Sequence, residues 1–400
     1  MRILFSSTPA FGHLLPMLPL AAAARRAGHE TAVLTHPSMA AAAAPMRLLP
    51  AGPSLGETLK DVGSRAEVDP LTDMTVGAVE FFVESRLNLG ADDALAAAHT
   101  FRPDLVVADV VDYLGPFAAA AQGVAWAVHG GSLPPNEQLA LALEQAATAR
   151  FAQRGLALTP PIAYIDPWPD SLLRDTDPYP AERIAIRPEP HLQEGERWIR
   201  PRFQGRQNRP LVLVTLGTLV DDPDTLAAIL GSLARLDVNV LVAPHSATDL
   251  GDRRIDHSRV HLAGFVSMGQ LLDGVDVVVS AAGAGTVLAA LSAARPMVLL
   301  PMGLDKPVNA ERAAAAGAAR IVESPDEIGS AVEQVLSDPT IAAGAASMAT
   351  EIAGMNSAYE VLELLLRRHE HWTAGARSLG LVREEPADAA GVTQFAGRDE

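Results

Sequence analysis

Short apolar runs separated by longer helix-compatible stretches set the rhythm of this chain. In the first half, β-branched and apolar residues fill Arg2–Ser6, Glu30–Thr35, Leu105–Ala108 and Val124–Val128. In the second half they fill Leu211–Thr215, Val238–Val242, Val275–Val279 and Pro296–Leu300. Runs this short, with no polar alternation, predict strands covered on both faces of a parallel sheet. The stretches between them, beginning with a helix over Leu14–Ala27, predict the crossovers of βα units. The rhythm occurs twice, so the pattern predicts an α/β chain with two doubly wound parallel-sheet domains. Sheets of this kind take ligands beyond the carboxyl ends of their strands, which places the expected chemistry in the crevice between the domains.

Residues 159–210 are Pro-rich and charged, with little periodicity, and read as an irregular connector ending in the turn at 205–210. The expected division is a domain over 1–205, a second over 206–355, a helix over 356–370 and a mobile tail over 371–400. That helix carries Ala358, Val361, Leu362 and Leu365 on one face. A length of 400 residues agrees with two cores rather than one. A formal charge of −17 has the wrong sign for a phosphate-backbone binder, so nucleic acid is not an expected partner. No apolar run reaches the ~18 residues of a membrane span. The short apolar opening reads as a first strand rather than a leader, and a cytoplasmic protein is expected. The chain has no cysteine, which removes disulfides, thiolate metal sites and a Cys nucleophile.

Two turns carry candidate chemistry. After the first strand, Ser6–Pro16 contains Gly12-His13 at the passage from strand to helix. An imidazole there suits a general base, because its unperturbed pKa lies near neutrality. An isolated His in such a turn is equally an ordinary capping or packing residue. In the second half, Gly283, Gly285 and Thr286 lie between a strand and a helix, where backbone N–H groups and a hydroxyl meet a phosphate at a positive helix end. The same small residues also serve as a tight structural turn.

The ordered set of Gly12-His13 followed by Pro16, Thr215-Leu216-Gly217-Thr218, Gly264-Phe265-Val266, Gly283-Ala284-Gly285-Thr286 and Asp305 with Asn309-Ala310 resembles the GT-B glycosyltransferases. The resemblance is to the actinobacterial branch that decorates macrolides, enediynes and aromatic polyketides with deoxysugars. It covers roughly residues 1–370. It implies two Rossmann-like domains facing across a cleft, the first binding a natural-product acceptor and the second a nucleotide diphosphate sugar, TDP- or UDP-linked. The implied reaction inverts the anomeric centre and needs neither a metal nor a further cofactor. By the same resemblance His13 deprotonates the acceptor hydroxyl and Asp109 orients it, with Asp112 a local competitor for that role. Gly217 and Thr218 correspond to the turn that approaches the diphosphate, and Phe265 and Val266 to the site for the base. Thr286 corresponds to the phosphate-binding hydroxyl beside Gly283 and Gly285. Asp305 corresponds to the acid that holds sugar hydroxyls, and Asn309 lies at the start of the following helix. The helix over 356–370 is implied to cross back to the first domain. Homodimerisation stays open.

The chain departs from the family pattern at the donor turn. The family reads His-Gly-Gly-x-Gly-Thr where this chain has Ala281-Ala282-Gly283-Ala284-Gly285-Thr286. The missing His is the group that contacts the diphosphate, and loss of one preorganised donor costs about 100- to 1,000-fold in related settings. Ala282 also places a Cβ where the family leaves bare backbone. An Asp-Gln pair is replaced by Asp305-Lys306, so Lys306 either offers a charge to the diphosphate, pairs with a carboxylate on an unusual substrate, or is a solvated lysine at the helix entry. The stretch from Val128 to Ile165 is shorter than the acceptor-binding helices of close relatives, which implies a wider cleft. Two readings follow: a transferase with a tuned donor site, or a glycosyltransferase-like scaffold that performs another acid/base step, such as a cyclisation, or only binds.

Overall fold

The first half of the chain builds a sheet in the order β3-β2-β1-β4-β5-β6-β7, with every pairing parallel. Its strands are β1 (Arg2–Ser6), β2 (Glu30–Thr35), β3 (Arg47–Pro50), β4 (Leu105–Asp109), β5 (Ala125–His129), β6 (Tyr164–Asp166) and β7 (Arg183–Ala185). A second parallel sheet runs β10-β9-β8-β11-β12-β13. Its strands are β8 (Leu211–Thr215), β9 (Asn239–Val242), β10 (Val260–Leu262), β11 (Val277–Ser280), β12 (Met297–Leu299) and β13 (Ala319–Ile321). The computed structural model describes residues 1–65, 73–190, 198–218, 222–243, 256–264 and 266–378. In each sheet the strand order reverses between the first strand and its non-consecutive neighbour, β1 beside β4 and β8 beside β11. Loops at such a reversal part to either side and leave a crevice.

Burial explains the rhythm of the sequence. Side chains alternate across a strand, so Ile3, Phe5, Leu105, Val107, Ala125 and Ala127 enter the cluster on one face of the first sheet. Leu4, Val106, Ala108, Trp126 and Val128 enter the cluster on the other. The second sheet is covered likewise, with Leu213 and Val278 on one side and Val212, Val214, Val277 and Val279 on the other. Both faces are dry, so both sets of positions are apolar.

Several expectations are corrected. The segment 159–210 is not simply a connector, because β6 and β7 lie within it and extend the first sheet. These strands are three residues each, too short to display a period, and Asp166 is buried among them by bonds from Arg183, Tyr179 and the Trp168 N–H. Trp168, Leu172 and Phe203 then bury with Leu213, Leu271 and Leu288 in a second-sheet cluster, so this stretch joins the two halves by packing. The helix expected over Leu14–Ala27 is instead Phe11–Leu14, a 3₁₀ turn Leu15–Met17 and a helix Leu18–Arg26. Pro16 and Pro19 lack the N–H that a continuous helix needs. The last helix spans Ala358–Ser378, so residues 371–378 are helical rather than tail. Its Ala358, Val361, Leu362 and Leu365 bury against the first sheet with Ile3, Leu14 and Ala21. Residues 379–400, the rest of the expected tail, lie outside the described residues. Among the described residues no helix is long and apolar enough to cross a membrane.

Candidate active site

β1 delivers the chain to the crevice, and the turn of helix Phe11–Leu14 holds His13 there through a bond from its N–H to the Ala10 carbonyl. β4 ends at Asp109. Register places β1 directly beside β4, Ser6 opposite Ala108, so the two strand ends emerge together. His13 Nδ1 hydrogen-bonds Asp109 Oδ1 at 3.1 Å and lies 3.0 Å from the other carboxylate oxygen. The carboxylate side chain is 1% exposed and the imidazole 27%. A buried carboxylate on Nδ1 fixes the tautomer and leaves Nε2 as the nitrogen free for chemistry. Burial lowers the imidazole pKa, but the charge and hydrogen bond of Asp109, with the charges of Asp305 and Asp112, outweigh it and raise it from 6.5.

Asp112 does not compete for His13. Both its oxygens are taken in the interior, by the buried Arg86 guanidinium, the Ser6 hydroxyl and the Gly115 N–H. A second histidine, His129, sits at the end of β5 opposite Asp109. It is 1% exposed, donates from Nδ1 to the Gly130 carbonyl, and is pushed by burial down to about 4, so it is neutral across the physiological range. The wall beside His13 comes from a segment the sequence reading did not single out. Glu80–Ser85 forms a π-helical turn between helices Met74–Val79 and Arg86–Phe101, and its Phe82 ring stands 6.0 Å from the imidazole. Phe81 meets Phe82 edge-on at 5.0 Å. A widened turn at this place sets the Phe82 ring near His13, with Phe81 packed against it.

The second sheet offers two turns at its own reversal. Thr215 pairs with Ser280 across β8 and β11, so the turns that follow both strands open at one edge. Gly217 adopts φ +82°, a conformation only glycine takes without strain, with Thr218 after it. The other turn contains Ala282 at φ +65°, fully buried. A methyl therefore occupies a left-handed position, at a cost of about 1–2 kcal/mol. Ala281 is buried as well. Gly283 is the N-cap of helix Ala284–Ser292 and provides no side-chain cap; the Thr286 N–H bonds the Gly283 carbonyl, which leaves the N–H groups of Ala284 and exposed Gly285, with the half-buried Thr286 side chain, at the helix end. Val266 packs half-buried on the second-domain cluster, while Phe265 lies outside the described residues.

Helix Lys306–Ala315 completes the arrangement. Asn309 is fully buried and donates to the Ala282 carbonyl at 3.2 Å and to Asp305 Oδ2 at 2.9 Å, tying the helix entry to the turn after β11. Lys306 is not the solvated lysine that its place at a helix entry suggests. It is 6% exposed, on the helix face shared with Asn309 and Ala310, and its ammonium has no hydrogen bond or ion pair among the described residues. Sequence reading also missed Ser132, whose hydroxyl crosses the crevice to Asp305, and Arg312, which bonds Asp177 and the Leu172 carbonyl. Neither had a motif to mark it, because both contacts are tertiary.

Known proteins share the sequence pattern and the two-sheet fold. Residues 227–367 match the family described as erythromycin biosynthesis protein CIII-like, C-terminal domain. The L-demethylnoviosyl transferase of Streptomyces niveus is 30% identical over 348 residues, spanning 80% of this chain and 84% of that protein. The elloramycin glycosyltransferase ElmGT of Streptomyces olivaceus is 28% identical, over 90% of this chain and 96% of its own. The crystal structure of the glycosyltransferase SsfS6 of Streptomyces sp. SF2575 with thymidine diphosphate superposes with a TM-score of 0.77 at 25% identity, covering 92% of this chain and 99% of that one. With two parallel-sheet domains and relatives matched along most of its length, the chain belongs to the natural-product glycosyltransferases.

Proposed function

We propose that the chain transfers a sugar, with inversion, from a nucleoside diphosphate to a hydroxyl of a natural-product aglycone. Residues 1–205 hold the acceptor and residues 206–355 the donor. The observation that carries this reading is the His13–Asp109 pair at the crevice, with Asp305 of the second domain near enough to act on the imidazole. His13 Nε2 takes the acceptor proton as the acceptor oxygen bonds to the anomeric carbon. The bond from that carbon to the diphosphate breaks on the opposite face, and the electron pair leaves with the nucleotide. Asp109 stabilises the imidazolium that results. The charge on the departing diphosphate falls on the N-terminus of helix Ala284–Ser292, the Thr286 hydroxyl and Lys306, in place of a metal. Gly217 and Thr218 approach the same diphosphate, and Phe265 and Val266 receive the base. The thymidine diphosphate held by SsfS6 makes TDP the first nucleotide to try. Phe82 beside the base, backed by Phe81, suits a flat, apolar aglycone.

Titration calorimetry with TDP and UDP, followed by mass spectrometry of products from a TDP-sugar and aromatic polyketide acceptors, tests the reading. Binding of a nucleoside diphosphate with a mass gain of one sugar on the acceptor is expected. One observation favours the second reading: the methyl groups of Ala281 and Ala282 are buried in the donor turn, and the first stands in place of the usual His. If no nucleoside diphosphate binds at millimolar concentration to the folded chain, the scaffold performs a different acid/base step.

A further inference from the structure

The loop after β5 links the two halves of the site in three consecutive residues. Gly131 lies against the base: a Cβ built on it would stand 3.3 Å from the Gly12 carbonyl oxygen and 4.0 Å from Asp109 Oδ1. The next residue, half-buried Ser132, crosses to the other domain. Its Oγ donates to Asp305 Oδ2 at 2.5 Å and lies 3.3 Å from Asn309 Oδ1. Leu133 follows and buries in the second-domain cluster with Ala282, Ala284 and Ala310. An apolar anchor thus fixes the hydroxyl between the acceptor base and the donor-side carboxylate. Asp305 is an exposed carboxylate with no cation or backbone N–H on its side chain among the described residues; its partners are one hydroxyl and one amide.

A hydroxyl on this pair is what an incoming sugar would itself present. We infer that Ser132 is a specificity-determining residue, an internal surrogate that fills the hydroxyl position on Asp305 and Asn309 until a donor sugar displaces it. The inference rests on the transferase reading and deepens it. A sugar bearing a hydroxyl at this point exchanges one hydrogen bond for another and gains only the difference. A sugar that lacks the hydroxyl leaves Ser132 in place and is accepted without an unpaired carboxylate. The single serine therefore flattens the preference for hydroxylated over deoxygenated donors, because neither leaves Asp305 unsatisfied.

Binding of TDP and of TDP-glucose to the full chain and to Ser132→Ala provides the test. Removing the surrogate is expected to tighten TDP-glucose by about five- to tenfold, the weight of one hydrogen bond, while TDP alone stays within about twofold. Ser132→Thr, which keeps the hydroxyl, is expected to restore the original TDP-glucose affinity. Equal or weaker TDP-glucose binding in Ser132→Ala, with TDP binding intact, overturns the surrogate role and leaves the transferase reading standing. A chain that binds neither ligand overturns the transferase reading and this inference with it. In the absence of ligand, urea unfolding of Ser132→Ala, Asp305→Asn and the double variant reads the contact directly. Non-additive losses are expected, and strict additivity would show that the hydroxyl does not hold the carboxylate.

Discussion

At the scale of single residues, the pairing of His13 with Asp109 makes the strongest claim on function. The imidazole pKa is raised, so the protonated ring is favoured in the folded chain: this stabilisation is complete below the ordinary value of 6.5 and is lost as pH rises through the higher folded value. The base form grows over that same upper window. Turnover per substrate, kcat/KM, is therefore expected to rise with pH to a plateau whose midpoint lies above 6.5. Asp109→Asn removes the principal charge that raises the value, so its midpoint is expected to move down while the plateau falls. His13→Ala is expected to lower kcat by about 100-fold or more with little change in melting temperature. A pH midpoint that does not respond to Asp109→Asn would separate this carboxylate from the titration. Ala282 poses a question of stability. Relief of its left-handed backbone by Ala282→Gly gains about 1 kcal/mol, and loss of a buried methyl costs about 0.8 kcal/mol, so the net change in urea unfolding is expected near zero. Ala290→Gly, equally buried but inside helix Ala284–Ser292, has no strain to relieve and is expected to lose about 2 kcal/mol.

At the scale of elements, helix Lys306–Ala315 ties together the second-sheet side of the crevice. Its first turn ties Asp305 and Asn309 to the Ala282 carbonyl, and its last turn carries Arg312, bound to Asp177. Lys306 lies on the buried face of that helix with nothing to neutralise it among the described residues, so Lys306→Ala is expected to weaken TDP binding about tenfold without harming the fold. Ala281→His with Ala282→Gly restores the family pattern and is expected to strengthen TDP by the ~1.5–3 kcal/mol of a charge-assisted hydrogen bond. If both variants bind TDP like the parent chain, the diphosphate does not rest on this turn. How far such elements could be read from sequence depended on length and burial. β1, β4, β8 and β11 declare themselves because each strand of four or five residues holds three or four consecutive apolar positions in a two-sided interior. β6, β7 and β13 do not, since three residues cannot show a period and their neighbours are prolines and charges. His13 and the Gly283–Thr286 turn were marked as candidates by a strand end and by small residues, whereas Asp109 was marked only by the resemblance to the family. Ser132, Arg312 and the π-helical turn were not, because each acquires meaning only from a partner far along the chain.

At the scale of the whole molecule, neither sheet closes its core with its own half of the sequence. Leu133, Trp168 and Leu172, which follow strands of the first sheet, bury in a cluster of the second. In return the final helix Ala358–Ser378 lays Ala358, Val361, Leu362 and Leu365 on the first sheet, and its Arg368 and His369 bond the carbonyls of Ile162 and Asp104. Val361, Leu362 and Leu365 are each buried almost completely. At about 1.5–3 kcal/mol apiece, these three side chains contribute roughly 5–9 kcal/mol, comparable to the ~5–15 kcal/mol net stability of an ordinary domain. The exchange of segments makes the two halves one folding unit, and truncation reads it. A chain ending at Ser378 is expected to unfold in urea in a single transition and to keep TDP binding. A chain ending at Asn356 removes the helix while leaving every strand of both sheets and every proposed contact to the nucleotide. It is expected to expose the apolar face of β1 and β4, bind a hydrophobic dye, and lose the cooperative transition of the first domain. Should the shorter chain melt within a few degrees of the longer one, the helix would be an accessory to a first domain that closes its core unaided.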